Sequence, residues 1–352
     1  MPKVSIIMPV YNSEKYVGEA IQSILDQTFE DYELIVIDDC CKDKSAEIIS
    51  GFEDDRIVFV RNEENKGFLY GLNLGIEKAK GEYIARLDDD DTSYPERLAK
   101  QVEYMDAYPD VVLLGTKRDL LINNERVPAE KVPIFTSEEI AFSLPFGNYL
   151  IAHSSFMIRK SVLMENNIRY ELFKQTPDHH MQLQLCPYGK INCLDEILVT
   201  WRIHPQQSTQ VRSAQMKMGE EDRVRCIYID EMPLTSEARM VLKKAVCRDL
   251  LTKHDYQLFK DTFKQYAEMC GLSLDSDKDL KCMQYVWKDI LAQQKHNMQL
   301  FKTYISVQWT DWRWLLTTKF GIVFIIKCII SYNKRWFPAM YNYNDKRDNE
   351  NV

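Results

Sequence analysis

The stretch YIARLDDDD, residues 83–91, decides how the rest of the chain is interpreted. An apolar run with strand character, Tyr83 to Leu87, is followed by four consecutive aspartates, Asp88 to Asp91. Like charges at neighbouring positions repel one another, and a bound cation relieves that repulsion. Carboxylate oxygens are the ligands that Mg²⁺ and Mn²⁺ prefer. The stretch therefore predicts a divalent metal site at the end of a strand, with a solvated acidic turn as the alternative.

Residues 1–115 show alternating strand and helix patterns. Short apolar runs predict strands at 4–8, 33–37, 57–60, 83–87 and 111–114. Apolar residues at helical spacing predict helices at 17–25, 44–51, 69–79 and 98–105. This alternation is typical of an α/β layer with a mainly parallel sheet.

Polar residues follow three of the expected strands, at the carboxyl end of each. They stand at 9–12, at 38–39 and at 88–91. Ligands of parallel sheets bind where the carboxyl ends of the strands meet. We therefore expect one site built from three loops, rather than three unrelated turns.

The pattern changes after residue 116. A hairpin or loop is expected up to Pro133, and the regular elements beyond it are expected near 155–158 (strand), 178–188 (helix) and 191–201 (strand). From about residue 215 the sequence has mostly helical character. We therefore expect an α/β domain at 1–215 and a mostly helical region at 216–352, a division in keeping with the length of the chain.

The composition excludes some classes of protein. The net charge of −8 argues against nucleic acid as a partner, because phosphate backbones attract a basic face. Nine cysteines without a CxxC motif indicate reduced thiols rather than a disulfide framework. The start at Met1 runs directly into a strand pattern without a signal peptide, so a cytoplasmic location is expected. A run of 18 uncharged apolar residues, as a spanning helix needs, does not occur.

These segments, in this order, resemble the family 2 glycosyltransferases, which have the GT-A fold. The resemblance is carried by VSIIMPVYN at 4–12, YELIVIDD at 32–39, NKG at 65–67, GLNLGI at 71–76, GEYIARLDDDD at 81–91 and PERL at 95–98. It extends over about residues 3–210. It implies a catalytic GT-A domain at 1–215, Rossmann-like with a mainly parallel sheet and helices on both faces. It also implies an inverting, metal-dependent enzyme that uses a nucleotide-diphosphate sugar.

The resemblance also assigns a donor site. Asp39 would accept the N3–H of a uracil ring, which favours uridine donors, with thymidine close behind because its ring offers the same group. The other nucleotide contacts would come from Pro9, Tyr11, Asn12, Lys66 and Asp88. Asp90 would bind Mn²⁺ or Mg²⁺ directly, while Asp88 would contact the ribose or a metal-bound water. His204, in WRIH at 201–204, would close over the diphosphate or join the metal.

The other two aspartates are expected to play no direct part. Asp91 would brace the loop or cap a helix that starts before Pro95. Asp89 stands where the family usually has a small residue, and we expect its side chain to face the solvent.

The catalytic base is expected at Asp178. The family places a Glu-Asp pair at the start of a helix, and Pro177 stands here where the glutamate is usual. Proline is acceptable at a helix entrance. A base must take the proton of the acceptor hydroxyl as that hydroxyl attacks the sugar. His153 and His180 are the weaker expectations for acceptor-side contacts.

Residues 309–337 combine tryptophans with apolar residues and flanking lysines and arginines. This composition is typical of an interfacial helix, which would place the enzyme peripherally on the cytoplasmic face of a membrane. The alternative is a helix packed on the domain or on a second subunit in a homo-oligomer. The acceptor, by family analogy, is a growing surface saccharide or a lipid-linked saccharide.

Two other functions stay open at this stage. A sugar nucleotidyltransferase also uses clustered carboxylates with Mg²⁺, but it would have a glycine-rich loop where this chain reads YNSE at 11–14. A catalytically impaired nucleotide-sugar-binding protein of the same fold is the second alternative, and Pro177 is the residue that keeps it open.

Overall fold

A computed structural model describes residues 1–123, 125–128, 135–147, 151–171, 173, 176–205, 207, 214–247, 249, 252–273, 276, 279, 282–283 and 286. The chain divides into two compact units, Met1–Val224 and Arg225–Val352. One helix, Ala214–Glu231, runs across this boundary and across the predicted one at 215/216. The segment 309–337 lies outside the described residues, so its contact with a membrane or a second subunit stays a prediction.

The first unit is an α/β layer whose elements follow the predicted order. Its strands are β1 Val4–Val10, β2 Tyr32–Asp38, β3 Ile57–Arg61, β4 Tyr83–Arg86, β5 Thr92–Ser93, β6 Val111–Ile122, β7 Glu125–Pro128, β8 Met157–Arg159 and β9 Lys190–Ile203. Its helices are α1 Val17–Leu25, α2 Ser45–Ser50, α3 Phe68–Lys78, α4 Arg97–Ala107, α5 Ser137–Ser143, α6 Lys160–Glu165 and α7 Pro177–Leu185. Short 3₁₀ turns lie at His153–Ser155 and Cys186–Tyr188.

The described strands form one mixed sheet in the order β3-β2-β1-β4-β8-β6-β9-β5, with β7 on β6. Pairing is parallel among β1 to β4 and between β6 and β9, whereas β5, β7 and β8 pair antiparallel. The parallel arrangement predicted for the first strands is therefore confirmed, and the later strands make the sheet mixed. Strand β6 also runs well beyond the predicted end at residue 114, and it forms a hairpin with β7.

Burial on both faces explains why β1 and β2 are nearly continuous apolar runs. Every residue of both strands is buried, as in parallel sheets that helices cover on both sides. Helix α3 approaches β1 so closely that a Cβ on Gly75 would lie 2.4 Å from Cγ2 of Ile7. Glycine is required there for the helix to pack on the strand, and this packing fixes the floor beneath the first loop.

The strand order brings the predicted clusters to one edge of the sheet. Strands β2, β1 and β4 are parallel neighbours, with Val10 opposite Asp38 and Ile7 opposite Arg86. The loops that follow these strands therefore leave the sheet at the same edge. The expected convergence of three loops is confirmed at the level of the backbone.

The helices α9 Ser236–Val246 and α10 Lys253–Met269 belong to the second unit, and α8 Ala214–Glu231 enters it. Thr235 and Thr252 cap α9 and α10, the latter with Asp255 in a reciprocal capping box. Amphipathic faces of α9 and α10 bury Leu242 and Phe263. In the described part of the chain, no helix combines the length and the apolar character needed to span a membrane.

Candidate active site

The four aspartates form a turn that is held at both ends. It leaves β4 after the buried Leu87 and enters β5, where Thr92 pairs with Thr200 and Ser93 with Val199 of β9. The turn therefore joins two fixed strands of the sheet. This attachment gives the carboxylates defined positions, as preorganised binding requires.

Three of the four carboxylates converge. One oxygen each of Asp88, Asp90 and Asp91 lies within 4.8 Å of the others. Hard, negatively charged oxygen ligands at this spacing suit Mg²⁺ or Mn²⁺. These three carboxylates therefore fit a divalent ion, as the sequence predicts.

Asp88 and Asp91 already have strong partners in the protein. The buried guanidinium of Arg86 donates from both terminal nitrogens to the two oxygens of Asp88, one at 2.9 Å. The hydroxyl of Ser154 donates to Asp88 at 2.8 Å and also to Asp91. The backbone N–H of Arg202 donates to Asp91 at 3.0 Å. Asp91 thus braces the loop, and it does not cap a helix, because α4 begins only at Arg97.

Asp90 faces His204, which is 114 residues away in sequence. Nε2 of His204 lies 2.9 Å from Oδ2 of Asp90, and the imidazole ring packs on Tyr16 with centroids 4.6 Å apart. Nδ1 of His204 is buried and has no hydrogen-bond partner in the described ranges. This nitrogen and the carboxylate of Asp90 are the groups that a metal or a diphosphate could engage.

The expectation that Asp89 faces the solvent is wrong. Its Oδ2 accepts the backbone N–H of Tyr11 at 3.1 Å, and the hydroxyl of Ser13 donates to its carbonyl oxygen. The turn packs against the loop after β1, and this loop offers a donor that the local sequence does not reveal. Asp89 thereby connects the acidic turn to the loop that begins the predicted nucleotide site.

The acidic turn is electrostatically costly in the absence of a cation. Burial raises the pKa of Asp89 and of Asp91 well above the usual range, and the neighbouring Asp90 and Asp88 add to the effect. Burial also raises the pKa of Asp90, although His204 opposes it. A divalent ion would favour the ionised forms of these groups.

This electrostatic cost predicts how metal binding depends on pH. The pKa values of these carboxyl groups are higher in the folded protein than in the unfolded chain. Their contribution to folding stability is therefore fully present at a pH below the unfolded-state pKa values, and it is lost as the pH rises through the folded-state pKa values. We expect Mn²⁺ to raise the melting temperature more at about pH 8 than at about pH 5, because it binds the ionised carboxylates. Thermal unfolding with Mn²⁺ and with a chelator at both pH values measures this. A shift that is equal at both, or larger at the lower pH, would contradict it.

Asp39 is buried and organises the segment before α3. Its carboxylate accepts from the Asn62 amide at 2.8 Å, from the backbone of Lys66 at 2.8 Å and from the backbone of Gly67 at 2.7 Å. Gly67 has φ of 88°, a left-handed conformation that favours glycine. The exposed ammonium of Lys66 lies over the Tyr70 ring. Asp39 therefore holds this loop, and a contact with a uracil ring stays a prediction.

The loop after β1 opens a cleft of about 340 Å³ lined by Asn12, Ser13, Glu14, Lys15, Tyr16, Lys42 and Asp43. Asn12 has φ of 53° and its side chain accepts the backbone N–H of Lys42 at 2.8 Å. Tyr11 is 51% exposed. Pro9 is buried against Gly71 of α3 and supports this loop from below. Asn12 therefore lines this cleft, and nucleotide contacts of Pro9, Tyr11 and Asn12 stay a prediction.

Asp178 lies in the first turn of α7, directly after Pro177 at the first helical position. A proline costs nothing there, because the N–H of this position has no helical partner. The charges of Asp178 and Asp88 both act on the phenol of Tyr170, and those of Asp178 and Asp91 both act on Arg118. Tyr170 and Arg118 are therefore each within electrostatic reach of Asp178 and of one carboxylate of the acidic turn, and the role of Asp178 as the base stays a prediction.

The two histidines of the acceptor-side prediction are packed and neutral. Burial lowers the pKa of His180 to about 4; the side chain pairs with Gln184 and packs edge-on against Phe173. Burial also lowers the pKa of His153 well below its usual value, and its Nε2 lies 2.8 Å from the Tyr170 hydroxyl. Acceptor contacts of these histidines stay a prediction.

Sequence reasoning missed Arg86, Ser154 and Arg202. Arg202 donates through Nε to the Asp90 carbonyl at 2.9 Å and through Nη2 to Glu19 at 2.6 Å. Its position two residues before His204, and that of Arg86 two residues before Asp88, were available signals. Ser154 carries no comparable signal, because its role appears only when β8 pairs with β4.

Comparisons with known proteins agree with this architecture. A family model described as glycosyl transferase family 2 matches residues 5–166. An uncharacterized glycosyltransferase of Methanocaldococcus jannaschii is 32% identical over 222 residues, covering 62% of this chain and 76% of that protein. The O-antigen biosynthesis glycosyltransferase WbnJ of Escherichia coli is 34% identical over 213 residues, covering 59% of this chain and 82% of that protein.

A solved structure shows the same fold. The crystal structure of S. aureus TarS residues 1–349 in complex with UDP-GlcNAc aligns with a TM-score of 0.57 at 18% identity, covering 94% of this chain and 92% of that one. At this identity the likeness concerns the fold. It confirms the predicted GT-A fold class.

Proposed function

The chain belongs to glycosyl transferase family 2, and on that premise we propose that it transfers a sugar from a UDP-sugar to a saccharide hydroxyl with inversion, using a divalent metal. The observation that carries this proposal is the convergence of Asp88, Asp90 and Asp91 within 4.8 Å, with His204 beside Asp90. This is a binding site for a metal–diphosphate group at the carboxyl edge of a sheet. The alternative of a sugar nucleotidyltransferase is not retained, because the family is a glycosyltransferase family.

The uridine donor is supported by one residue and one structural neighbour. Asp39 is buried at the end of β2, where a carboxylate can accept a ring N3–H while it holds the 62–67 segment. TarS, which has the same fold, was crystallised with UDP-GlcNAc. The role in surface polysaccharide or glycolipid synthesis is supported by the likeness to an O-antigen biosynthesis enzyme.

The metal site would use Asp90 as a direct ligand, with His204 closing on the metal or on the diphosphate. A divalent ion there would offset the negative charge that develops on the leaving diphosphate. Asp88 suits the ribose or a metal-bound water better, because Arg86 already neutralises it. Asp91 keeps the turn in place through Ser154 and Arg202.

Asp178 is the residue that we assign to the acceptor proton. The N-terminus of α7, a helix of nine residues, favours a negative charge in its first turn. An ionised carboxylate at neutral pH can accept the proton as the hydroxyl attacks the anomeric carbon from the face opposite the diphosphate. Attack from that face inverts the anomeric configuration. Because Pro177 fits the helix start, the loss of the usual glutamate does not displace Asp178.

A donor screen tests the proposal. We expect UDP-sugars to raise the melting temperature by about 5 °C or more at saturating concentration with Mn²⁺ present, and by much less with a chelator. The metal bridges the donor and the carboxylates, so its removal should abolish most of the shift. GDP-mannose serves as the matched control, because guanine does not offer the uracil N3–H that Asp39 is proposed to bind. Equal shifts for both donors, or shifts that do not depend on Mn²⁺, would contradict the proposal.

A further inference from the structure

Arg118 of β6 stacks on Trp201 of β9. The central carbon of the guanidinium lies 4.6 Å from the centre of the indole ring. In the parallel ladder Trp201 stands opposite Leu120, two residues beyond Arg118 on the same face of the strand. The contact therefore follows from the strand register, and it restricts where the guanidinium can lie.

The guanidinium of Arg118 makes no hydrogen bond or ion pair with any residue in the described ranges. The buried arginines of the same unit are engaged: Arg86 with Asp88, Arg97 with the carbonyl of Arg86, and Arg202 with Glu19. Arg118 is half-buried, so its donors stay within reach of water and are available to a ligand.

Strand β6, which carries Arg118, contacts α7, the helix whose first turn holds Asp178. Burial lowers the pKa of Arg118 below its ordinary value, while the carboxylates of Asp91 and Asp178 oppose that effect. An arginine nevertheless stays protonated at neutral pH. Arg118 is therefore a fixed positive charge in the neighbourhood of Asp178.

We propose that Arg118 binds an oxyanion, a phosphate or a carboxylate, that the acceptor saccharide carries near the hydroxyl facing Asp178. The inference rests on the proposed function, because it takes Asp178 as the base for the acceptor. A guanidinium that lies over an indole keeps its N–H donors free, and their fork geometry matches phosphate and carboxylate oxygens. The substrate class that follows is an anionic saccharide.

The acceptor is favoured over the donor as the source of this anion. Asp90 and His204, whose Nδ1 has no hydrogen-bond partner in the described ranges, stand together at the acidic turn and suffice for the donor diphosphate. Arg118 lies on β6, and β8 separates this strand from β4 in the strand order. The negative charge of Asp178 acts on the Arg118 guanidinium. An anion on Arg118 would thus lie beside the base.

The test is a titration of small sugars onto the full chain after saturation with UDP and Mn²⁺, followed by ligand-observed NMR. Saturation fills the donor site, so that a phosphate binding there cannot be mistaken for the acceptor site. The probes are glucose, glucose 6-phosphate and glucuronate. We expect at least one anionic sugar to bind about 10-fold more tightly than glucose, as hydrogen bonds to a charged group provide. The two anionic probes distinguish a phosphate site from a carboxylate site.

Arg118→Gln should reduce this preference to about 2-fold or less, while the affinity for UDP stays unchanged. The matched control is Arg126→Gln. Arg126 also lies over a ring, that of Tyr94, but it is exposed and already donates to the Tyr94 hydroxyl. The control should keep the preference for the anionic sugar.

Each other outcome counts against the inference. Equal binding of all three sugars to the wild type overturns it without any variant, even if Arg118→Gln does not fold. A loss of UDP affinity in Arg118→Gln assigns the residue to the donor and also overturns it. Absence of Mn²⁺-dependent UDP binding to the wild type would overturn the proposed function, and the inference with it.

Discussion

Replacing Asp178 with Asn is expected to lower kcat for sugar transfer by about 10²- to 10⁴-fold, the range for loss of a positioned general base. The amide has the same shape but cannot take the acceptor proton. The donor KM should change little, because the proposed nucleotide and metal sites lie at the acidic turn and the first two loops, not at Asp178. Initial rates of UDP release with a UDP-sugar that passes the donor screen measure both quantities.

The fold should survive this change. The substitution removes one negative charge from the first turn of α7, an effect worth about 1 kcal/mol or less. Asp195→Asn is the matched control, because Asp195 is an exposed aspartate paired with Lys117 on the surface. It should keep wild-type kcat. Equal kcat in Asp178→Asn and the wild type would remove Asp178 from the mechanism.

The fold of the first unit could be predicted because its signals are local. Fully buried strands such as β1 and β2 require continuous apolar runs, and these runs stand out in the sequence. Parallel strand ends share an edge as a matter of topology, so the convergence of Asp39 and the acidic turn could also be predicted. The limits of β6 could not, because its later part gains its pairing partner from β9, about 80 residues further along.

The site was predictable only in part, because several of its contacts join residues that are distant in the sequence. The aspartates and His204 were found from a motif and a resemblance, whereas Ser154 meets Asp88 and Asp91 only through the pairing of β8 with β4. Asp89 was misassigned because its donor, the backbone of Tyr11, lies 78 residues away. Arg118 carries no motif, and its stacking on Trp201 depends on the register of two distant strands.

Replacing Asp90 with Asn should change activity and stability in opposite directions. We expect kcat/KM to fall by about 10²- to 10³-fold at fixed Mn²⁺, because stabilisation of the leaving diphosphate is lost. Metal-free protein should become more stable at neutral pH, because one of several buried like charges disappears. Its partner His204 can still donate to the amide oxygen, so the local hydrogen bond at 2.9 Å is kept.

The control for this change is Asp89→Asn, which removes the same charge one residue away. Asp89 lies outside the group of three converging carboxylates, and an amide oxygen can still accept the Tyr11 N–H. Calorimetric Mn²⁺ titrations and thermal unfolding should therefore show a much smaller loss of metal affinity for Asp89→Asn than for Asp90→Asn. If the two variants lost Mn²⁺ affinity equally, net charge rather than coordination by Asp90 would govern the site. A rise in stability for Asp90→Asn, with a loss of Mn²⁺ binding that Asp89→Asn does not share, would instead show that the acidic turn sacrifices stability to hold a metal.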